Sequence, residues 1–152
     1  MIYLLDTNTC IEYLNNRASP VRHRLSALSP EDIALCSVVK AELYAGAQRS
    51  SQRERNLALL DWFFSQFVSL PFDDRAAEVY GRLRAELSRQ GQSIGPYDLM
   101  IAAIALAHNL TLVTWIHSVA RSATVSPCPS SSRRTAQAQA GVVRGWLNQA
   151  LD

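Results

Sequence analysis

Short apolar runs alternate with longer segments of helical periodicity over the first three quarters of the chain. The apolar runs predict buried strands, because each is only a few residues long and stops at polar or turn-forming residues. These predicted strands are Ile2–Leu5, Ile33–Ser37, Val68–Leu70 and Leu110–Val113. Between them, apolar side chains recur every three or four residues, which predicts amphipathic helices. These predicted helices are Thr9–Leu14, Pro20–Leu28, Val38–Gln48, Arg53–Phe67, a helix that Asp73 or Asp74 caps and that runs to Arg89, and Pro96–Ala107.

The alternation of strands and helices predicts the fold class. Parallel strands need long crossover connections, so the pattern favours an α/β fold with a mostly parallel central sheet flanked by helices. We expect this domain to span residues 1–120. Beyond Thr114 the pattern is lost, and the segment SATVSPCPSSSRRTAQAQAG is rich in Ser, Pro, Ala and Gln. We therefore expect residues 121–152 to be an atypical, partly disordered segment, loosely ordered over 121–140, which puts the last strand of the sheet in doubt. Within it, Val142–Leu151 is expected to form a short helix or strand.

Composition excludes several classes of protein. The 152 residues are 48% hydrophobic and 18% charged, which argues against wholesale disorder. The longest apolar run, Leu99–Ala107, has nine residues. A membrane-spanning helix needs about 20, so we expect no membrane protein. Three widely spaced cysteines without a C-x-x-C motif argue against a disulfide scaffold or a cysteine-rich zinc site. Together with the early aspartate in MIYLLD, which is unlike a secretory signal, they predict a cytoplasmic protein.

The net charge of +2 is distributed unevenly along the chain. Residues 1–114 carry 11 basic and 12 acidic side chains, whereas residues 115–152 carry four arginines and one aspartate. Arginines make up 14 of the 15 basic residues, and arginine suits bidentate phosphate recognition. Because scattered charges are usually a solvated surface, charge alone does not identify a nucleic-acid partner.

Three acidic residues lie where a ligand could bind. Asp6 ends the first predicted strand, and ligands of open α/β sheets bind beyond the carboxyl ends of the strands. Glu42 lies about one turn into the helix after the second strand, and Asp98 begins the apolar helix LMIAAIALA. Each also has a simpler interpretation. Asp6 and Asp98 could be helix-capping or first-turn carboxylates, and Glu42 could be an ordinary helix residue.

These carboxylates would need a compensating cation if they converged. Two unit charges about 4 Å apart repel by roughly 4 kcal/mol at an effective dielectric constant of about 20. Oxygen ligands favour a hard divalent ion such as Mg²⁺ or Mn²⁺. Such an ion would polarise a phosphodiester and generate hydroxide from bound water. The spacing of the three residues along the chain does not establish that they converge.

Several motifs in one order give a specific resemblance to a known family. They are LLDTN (Leu4–Asn8), SVVKAELYAGA (Ser37–Ala47), RERNLALLDWF (Arg53–Phe63) and IGPYDLMIAAIALAHNLTLVT (Ile94–Thr114). Over about residues 1–114 the chain resembles the PIN-domain ribonucleases, in particular the VapC toxins of type II toxin–antitoxin modules. The resemblance implies a PIN fold, Mg²⁺- or Mn²⁺-dependent endoribonuclease activity on RNA, inhibition by a cognate VapB-like antitoxin, and a homodimer.

The resemblance also assigns roles to individual residues. Asp6, Glu42 and Asp98 fall on the family's first three acidic positions. Asp6 and Asp98 would be the principal metal ligands, and Glu42 would complete or support the site. Asn8 and Thr114 would orient these ligands, because metal ligands need hydrogen-bonded support. Water activated by the metal would then attack the RNA phosphodiester.

The chain departs from the family after Thr114. The family usually continues with a polar segment, a fourth acidic residue and a last strand, whereas this chain continues WIHSVARSATV and has no acid before Asp152. Two interpretations remain open: an active metal-dependent endoribonuclease toxin, or a catalytically impaired relic that dimerises or binds antitoxin without cleaving RNA. The abrupt change in composition suggests the hypothesis of an altered C-terminal reading frame. Sequencing the gene tests it, and an intact locus without family sequence in another frame would contradict it.

A phosphatase of the haloacid dehalogenase type is a third interpretation, because it also places an aspartate after a first strand. That chemistry needs a second aspartate two residues later, where this chain has Asn8. It also needs a lysine in the site, and Lys40 is the sole lysine of the chain. We therefore disfavour this class.

Overall fold

The computed structural model describes residues 1–115 in full and the backbone of residues 122–125. Its strands are Tyr3–Leu5 (β1), Ile33–Cys36 (β2), Val68–Leu70 (β3), Thr111–Trp115 (β4) and Ser122–Val125 (β5). Its helices are Thr7–Asn15 (α1), Pro20–Ser26 (α2), Ser37–Gln48 (α3), Arg53–Ser65 (α4), Asp74–Arg89 (α5) and Pro96–Ala107 (α6). A short 3₁₀ turn, Pro30–Asp32, precedes β2. The predicted alternation of strands and helices is confirmed.

The five strands form one sheet in the order β3-β2-β1-β4-β5. Strand β1 pairs in parallel with both β2 and β4, and β2 pairs in parallel with β3. Strand β5 is antiparallel to β4. The sheet is therefore mostly parallel, as predicted.

Strand β5 differs from the expectation that residues 121–140 are loosely ordered. Its pairing with β4 runs from Leu112 opposite Val125 to Trp115 opposite Ser122. This pairing covers the outer edge of β4, whose backbone groups would otherwise lack strand partners. The four residues of β5 are of mixed polarity and show no periodic pattern of apolar positions. The sequence pattern therefore did not predict this strand. The rest of residues 121–152, including Val142–Leu151, lies outside the described residues.

The core lies on both faces of the central strands. Leu4, Leu5 and Leu35 are fully buried, so β1 and β2 show no polar face, as expected for parallel strands covered by helices. Apolar side chains that recur every three or four residues, the spacing from which the helices were predicted, are buried: Val39, Leu43 and Ala47 of α3, Leu60 and Phe64 of α4, and Val79, Leu83 and Leu87 of α5. Helix α6 is buried at most of its positions, which explains why it is apolar nearly all round.

Two helices start earlier than predicted, and for α1 the reason is local capping. Helix α1 begins at Thr7, earlier than predicted, since the Asp6 carboxylate accepts a hydrogen bond from the Thr9 N–H at 2.7 Å and caps the helix. Helix α3 begins at Ser37, which was predicted to end the second strand. The helix boundaries at Pro20, Arg89, Pro96 and Ala107 agree with the prediction.

The topology brings several chain segments to the carboxyl edge of the sheet. Helices α1 and α3 begin directly after β1 and β2. Helix α6 precedes the parallel strand β4 and runs back along the sheet, so its N-terminus lies at this same edge. Within the described residues, no helix is both long enough and apolar enough to cross a membrane.

Candidate active site

Asp6 is fixed between β1, α1 and β4. Its backbone N–H donates to the Val113 carbonyl of β4 at 3.1 Å, and the Thr9 hydroxyl donates to the same carbonyl at 3.1 Å. Its carboxylate accepts hydrogen bonds from the Thr9 N–H and from the Thr114 hydroxyl. Asp6 and Thr114 are 7% and 4% exposed. The simpler interpretation of Asp6 as a helix cap is therefore confirmed, and the capping also immobilises its carboxylate at the sheet edge.

The Glu42 side chain contacts Thr7 at the junction of β1 and α1. It is half-buried in the second turn of α3, and its Oε2 accepts a hydrogen bond from the Thr7 hydroxyl. Thr7 directly follows Asp6 and belongs to a different element from Glu42. The hydrogen bond therefore connects α1 to α3 and holds the Glu42 side chain beside the Asp6 segment.

Asp98 lies in the first turn of α6, where a carboxylate is stabilised by the helix dipole. The residue before Pro96, Gly95, caps this helix. A Cβ atom built on Gly95 would lie 3.0 Å from Oδ2 of Asp98. The carboxylate therefore occupies space that a side chain at position 95 would need.

The three carboxylates interact electrostatically in pairs. The pKa of Asp6 is raised from 3.8 to about 6: burial is the largest cause, hydrogen bonds from Thr114 and Thr9 oppose it, and the charge of Asp98 adds a smaller increase. Desolvation and, secondarily, the charge of Glu42 raise the pKa of Asp98. Asp98 as a whole residue is exposed to solvent. The desolvation that raises its pKa therefore concerns its carboxyl group, which lies against Gly95. Asp6 and Glu42 thus both lie near Asp98.

No ion pair within residues 1–115 compensates this negative charge. The ion pairs in that range join the Met1 amino group to Asp32, Arg82 to Glu78, and Arg89 to Glu86. An uncompensated group of carboxylate oxygens suits a hard divalent cation. In the same part of the chain, no cluster of three or more Asp, Glu, His or Cys side chains is arranged to enclose a metal ion. The site therefore fits an ion that keeps several waters and takes one or two carboxylates, as Mg²⁺ commonly does.

The residues predicted to support the carboxylates differ in their placement. Thr114 hydrogen-bonds to Asp6, as its predicted role requires. Asn8 is exposed in the first turn of α1 and makes no side-chain hydrogen bond within residues 1–115, so its role stays a prediction.

Sequence reasoning assigned no role in the site to Thr7, which donates to Glu42, or to Thr9 and Gly95. Thr9 lies three residues after Asp6, which is the spacing of a helix cap and could have identified it. Gly95 precedes Pro96, and a proline at this place indicates where a helix begins. It does not indicate that the Asp98 carboxylate approaches Gly95 closely.

Comparison with known families and proteins identifies similar chains. The family model described as "PIN domain" matches residues 3–115. The tRNA(fMet)-specific endonuclease VapC of Shigella flexneri is 42% identical over 112 residues, which are 74% of this chain and 84% of that protein. The ribonuclease VapC2 of Rickettsia felis is 41% identical over 115 residues, covering 75% of this chain and 86% of that one.

Solved structures show the same similarity in three dimensions. A chain of the DNA-bound VapBC structure from Salmonella typhimurium superposes with a TM-score of 0.69 at 39% identity, covering 72% of this chain and 83% of that chain. A chain of the Rickettsia felis VapBC2 structure, bound to a DNA fragment from the promoter, gives a TM-score of 0.70 at 40% identity, with coverage of 75% and 86%. The family match ends at residue 115, next to the point where the composition changes.

Proposed function

Because the chain belongs to the PIN-domain family and, within it, to the VapC ribonucleases, we propose that it is the toxin of a type II toxin–antitoxin module and hydrolyses RNA phosphodiester bonds. The observation that carries this proposal is the group of interacting carboxylates at the carboxyl edge of the sheet. The resemblance predicted from the sequence is confirmed by the family match and by relatives at about 40% identity.

PIN-domain nucleases depend on metal ions, and we propose Mg²⁺ or Mn²⁺ for this chain. Asp6 and Asp98 would bind the ion directly, and Glu42 would complete or support the site. When bound, the ion supplies Lewis-acid polarisation of the phosphodiester and lowers the pKa of a bound water. The oxygen-only ligand set, and the lack of an ion pair to these carboxylates within residues 1–115, support this choice over a softer metal.

The surrounding residues of the chain would hold the carboxylates in place. Thr9 and Thr114 donate hydrogen bonds to Asp6, which keeps its carboxylate oriented and favours its ionised form. Thr7 fixes Glu42 through one carboxylate oxygen. Asn8, in the exposed first turn of α1, would orient a metal ligand of the site. Such fixed partners determine the geometry of metal ligands and tune their basicity.

The proposed partners follow from the relatives. Three of the similar solved structures are VapBC assemblies, from Salmonella typhimurium, Rickettsia felis and Haemophilus influenzae. We propose that a VapB-like antitoxin inhibits this chain, that the toxin forms a homodimer, and that it acts on RNA in the cytoplasm. We also propose that residues 1–120 form the PIN domain and that residues 121–152 form an atypical segment, of which β5 pairs with β4 of that domain.

A catalytically impaired relic is the second candidate function, and one observation favours it. Every acidic residue of the chain other than Asp152 lies within residues 1–98, and the family match ends at residue 115. A relic would retain the fold and bind its antitoxin or dimerise, but would lack the fourth carboxylate expected after Thr114.

Expression in a bacterial host without antitoxin distinguishes the two functions. We expect the wild-type chain to arrest growth and Asp98→Ala to abolish the arrest, because Asp98 interacts with both other carboxylates. The matched control is Asp74→Ala, an exposed first-turn carboxylate of α5, which should remain as toxic as the wild type. Equal growth of wild type and Asp98→Ala, with soluble protein in both cases, would instead support the relic.

A further inference from the structure

Tyr97 is the most exposed of the large apolar and aromatic side chains in residues 1–115. Its exposed fraction is 57%, and that of Trp62, which follows it, is 55%. Within the same residues the Tyr97 hydroxyl makes no hydrogen bond, and its ring contacts no other ring and no cation. By contrast, Tyr44 donates a hydrogen bond to Asp61 at 2.9 Å, and its ring packs against Phe64. The aromatic ring of Tyr97 is therefore accessible to a ligand.

Position distinguishes Tyr97 from the other exposed apolar residues. A single exposed apolar side chain is common on protein surfaces and does not by itself indicate a ligand. Tyr97, however, directly precedes Asp98 in the first turn of α6, at the carboxyl edge of the sheet. Residues 95–98 are all exposed, so a large substrate can reach this turn. Because consecutive Cα atoms lie about 3.8 Å apart, the ring is attached beside a proposed metal ligand.

The turn that carries Tyr97 is held in place on both sides by buried side chains. Ile94, before the turn, is 8% exposed, and Leu99, after it, is 1% exposed. The Leu99 N–H donates to the Gly95 carbonyl at 3.0 Å, which closes the first turn of the helix. Pro96 occupies the first helical position, where its fixed φ is suited to the helix. The backbone of Tyr97 is therefore already ordered, which lowers the entropy cost of binding a ligand there.

The charges of this segment favour an uncharged ligand group. Residues 90–115 contain no arginine and no lysine, and Asp98 is their only acidic residue. The carboxylates of the candidate active site repel a phosphate group in the absence of a cation. A nucleic-acid base is uncharged, and its face stacks on an aromatic side chain without help from a charged partner. The start of α6 is thus suited to a base rather than to a phosphate.

We propose that Tyr97 stacks on an unpaired base of the RNA substrate, next to the phosphate that is cut. This inference rests on the proposed function, and it names single-stranded RNA as the class of substrate. Bases within a duplex are stacked on their neighbours, whereas unpaired bases can splay out onto aromatic side chains. Since every base has an aromatic face, we expect Tyr97 to select for unpaired RNA and to depend little on the identity of the base.

Binding is measured first, because it does not require cleavage. Every protein in this experiment carries Asp6→Asn, which retains the cap of α1 and should not cut RNA. The probe is a labelled oligoribonucleotide of mixed sequence, alone or annealed to its complement, and its fluorescence anisotropy is followed with Mg²⁺ present. We expect Tyr97→Ala to weaken binding of the single strand by about tenfold, the effect of losing one stacked base. Binding of the duplex should change by less than about twofold, because its bases do not reach the ring.

Tyr97→Phe and Trp62→Ala are the matched controls. Tyr97→Phe retains the ring and loses only the hydroxyl, so single-strand binding should stay within about twofold of that with Tyr97 intact. Trp62 is exposed to nearly the same extent as Tyr97 but belongs to α4, which contributes no residue to the candidate active site. Trp62→Ala should therefore also change binding by less than about twofold. Equal weakening by Tyr97→Phe and Tyr97→Ala would overturn the stacking contact, since the hydroxyl and not the ring would then bind.

Deletion of single bases locates the contact along the RNA. An oligoribonucleotide that the wild-type chain cuts with Mg²⁺ is remade with one abasic nucleotide at each position in turn, and kcat/KM is compared. We expect the wild type to lose about tenfold at one position beside the cut. Tyr97→Ala should lose less than about twofold at that same position, because its partner in the contact is already absent. A uniform loss at every position in Tyr97→Ala, with the position dependence of the wild type retained, would overturn the contact and indicate a structural effect on Asp98.

The outcomes separate the stacking contact from the proposed function. Equal kcat and KM for RNA cleavage by wild type and Tyr97→Ala would overturn the contact and leave the nuclease intact. No cleavage by the wild type, combined with single-strand binding that depends on Tyr97 but not on Trp62, would support the contact and overturn the nuclease. Unchanged RNA binding by Tyr97→Ala, together with a changed sedimentation coefficient, would place Tyr97 at an interface between two copies of the chain and overturn the contact.

Discussion

Asp6 has two tasks whose energetic demands conflict. It caps α1 by accepting the Thr9 N–H, and such capping requires a side-chain oxygen acceptor at this position. It is also a buried carboxylate near Asp98, and burial raises its pKa to about 6. At neutral pH the metal-free protein therefore holds an ionised group in an unfavourable place, which a bound cation would stabilise.

Asp6→Asn should therefore stabilise the metal-free protein at neutral pH. The amide retains the capping acceptor and removes the buried charge, for a gain of up to about 3 kcal/mol in unfolding free energy. Because the folded pKa lies above the ordinary value of 3.8, the gain is complete above pH about 6 and disappears below about 4. Urea unfolding in EDTA at pH 7.5 and pH 4 measures it.

The control for this experiment is Asp73→Asn, which changes the exposed cap of α5 and also retains an acceptor. It should change stability by less than about 0.5 kcal/mol at both pH values. A loss of stability in Asp6→Asn at pH 7.5, or a gain of equal size at pH 4, would contradict the conclusion that burial of the charge is costly.

Gly95 tests how closely the Asp98 carboxylate must be placed. In Gly95→Ala the new methyl group would lie 3.0 Å from Oδ2 of Asp98 and displace it by a few tenths of an ångström. We expect RNA cleavage to fall by about tenfold or more, since small misplacements of catalytic groups are costly. Gly46→Ala is the control, because a Cβ there meets nothing within 4 Å. Equal cleavage by both variants would show that the carboxylate adjusts freely.

At the scale of elements, the spacing of apolar residues along the chain predicted nearly every secondary-structure element that is longer than one helical turn. The spacing of Val79, Leu83 and Leu87 identified α5 and its buried face, and prolines marked the starts of α2 and α6. Errors occurred where a single side chain or a pairing partner decides the structure. Helix α1 starts at Thr7, before the predicted residue, because Asp6 caps it. Strand β5 forms because it pairs with the outer edge of β4.

Two glycines, one inside α5 and one just after it, should respond to alanine with opposite signs. Gly91 has a φ of 67° after the last turn, a conformation that costs a residue with a side chain about 1 kcal/mol or more. Gly81 is exposed in the helix interior with open space around it, so alanine there should stabilise by up to about 1 kcal/mol. Thermal unfolding of both variants measures the difference. A stabilising Gly91→Ala would contradict the left-handed conformation of this residue after the helix.

At the scale of the whole molecule, the convergence of the carboxylates could not be predicted from spacing. Asp6, Glu42 and Asp98 are far apart in the chain, and they become neighbours because β1 lies between β2 and β4 in the sheet. Periodicity identifies elements but not the order in which strands pair. Family resemblance supplied the expectation of convergence, and the structure adds the contacts from Thr7, Thr9, Thr114 and Gly95.

The extent of the folded unit can be tested by truncation. A chain ending at Ser126 retains the whole sheet through β5, so we expect its melting temperature to lie within about 3 °C of the full-length value, a change below about 1 kcal/mol. Circular dichroism during heating measures this. A much larger drop would show that residues 127–152 contribute to the fold and that the proposed domain boundary is wrong.

The hydrogen bond from Thr114 to Asp6 has a consequence for the order of synthesis. Asp6 is translated near the beginning, but its support from β4 comes only after more than a hundred further residues. A domain generally folds as a unit, so its fold is completed only after its last strands have been synthesised. Products of interrupted translation that stop before β4 would lack the strand that pairs with β1 and the hydroxyl that orients Asp6. Incomplete copies of such a nuclease would therefore not cleave the RNA of the cell that makes them. The active site is assembled only when the domain is nearly complete.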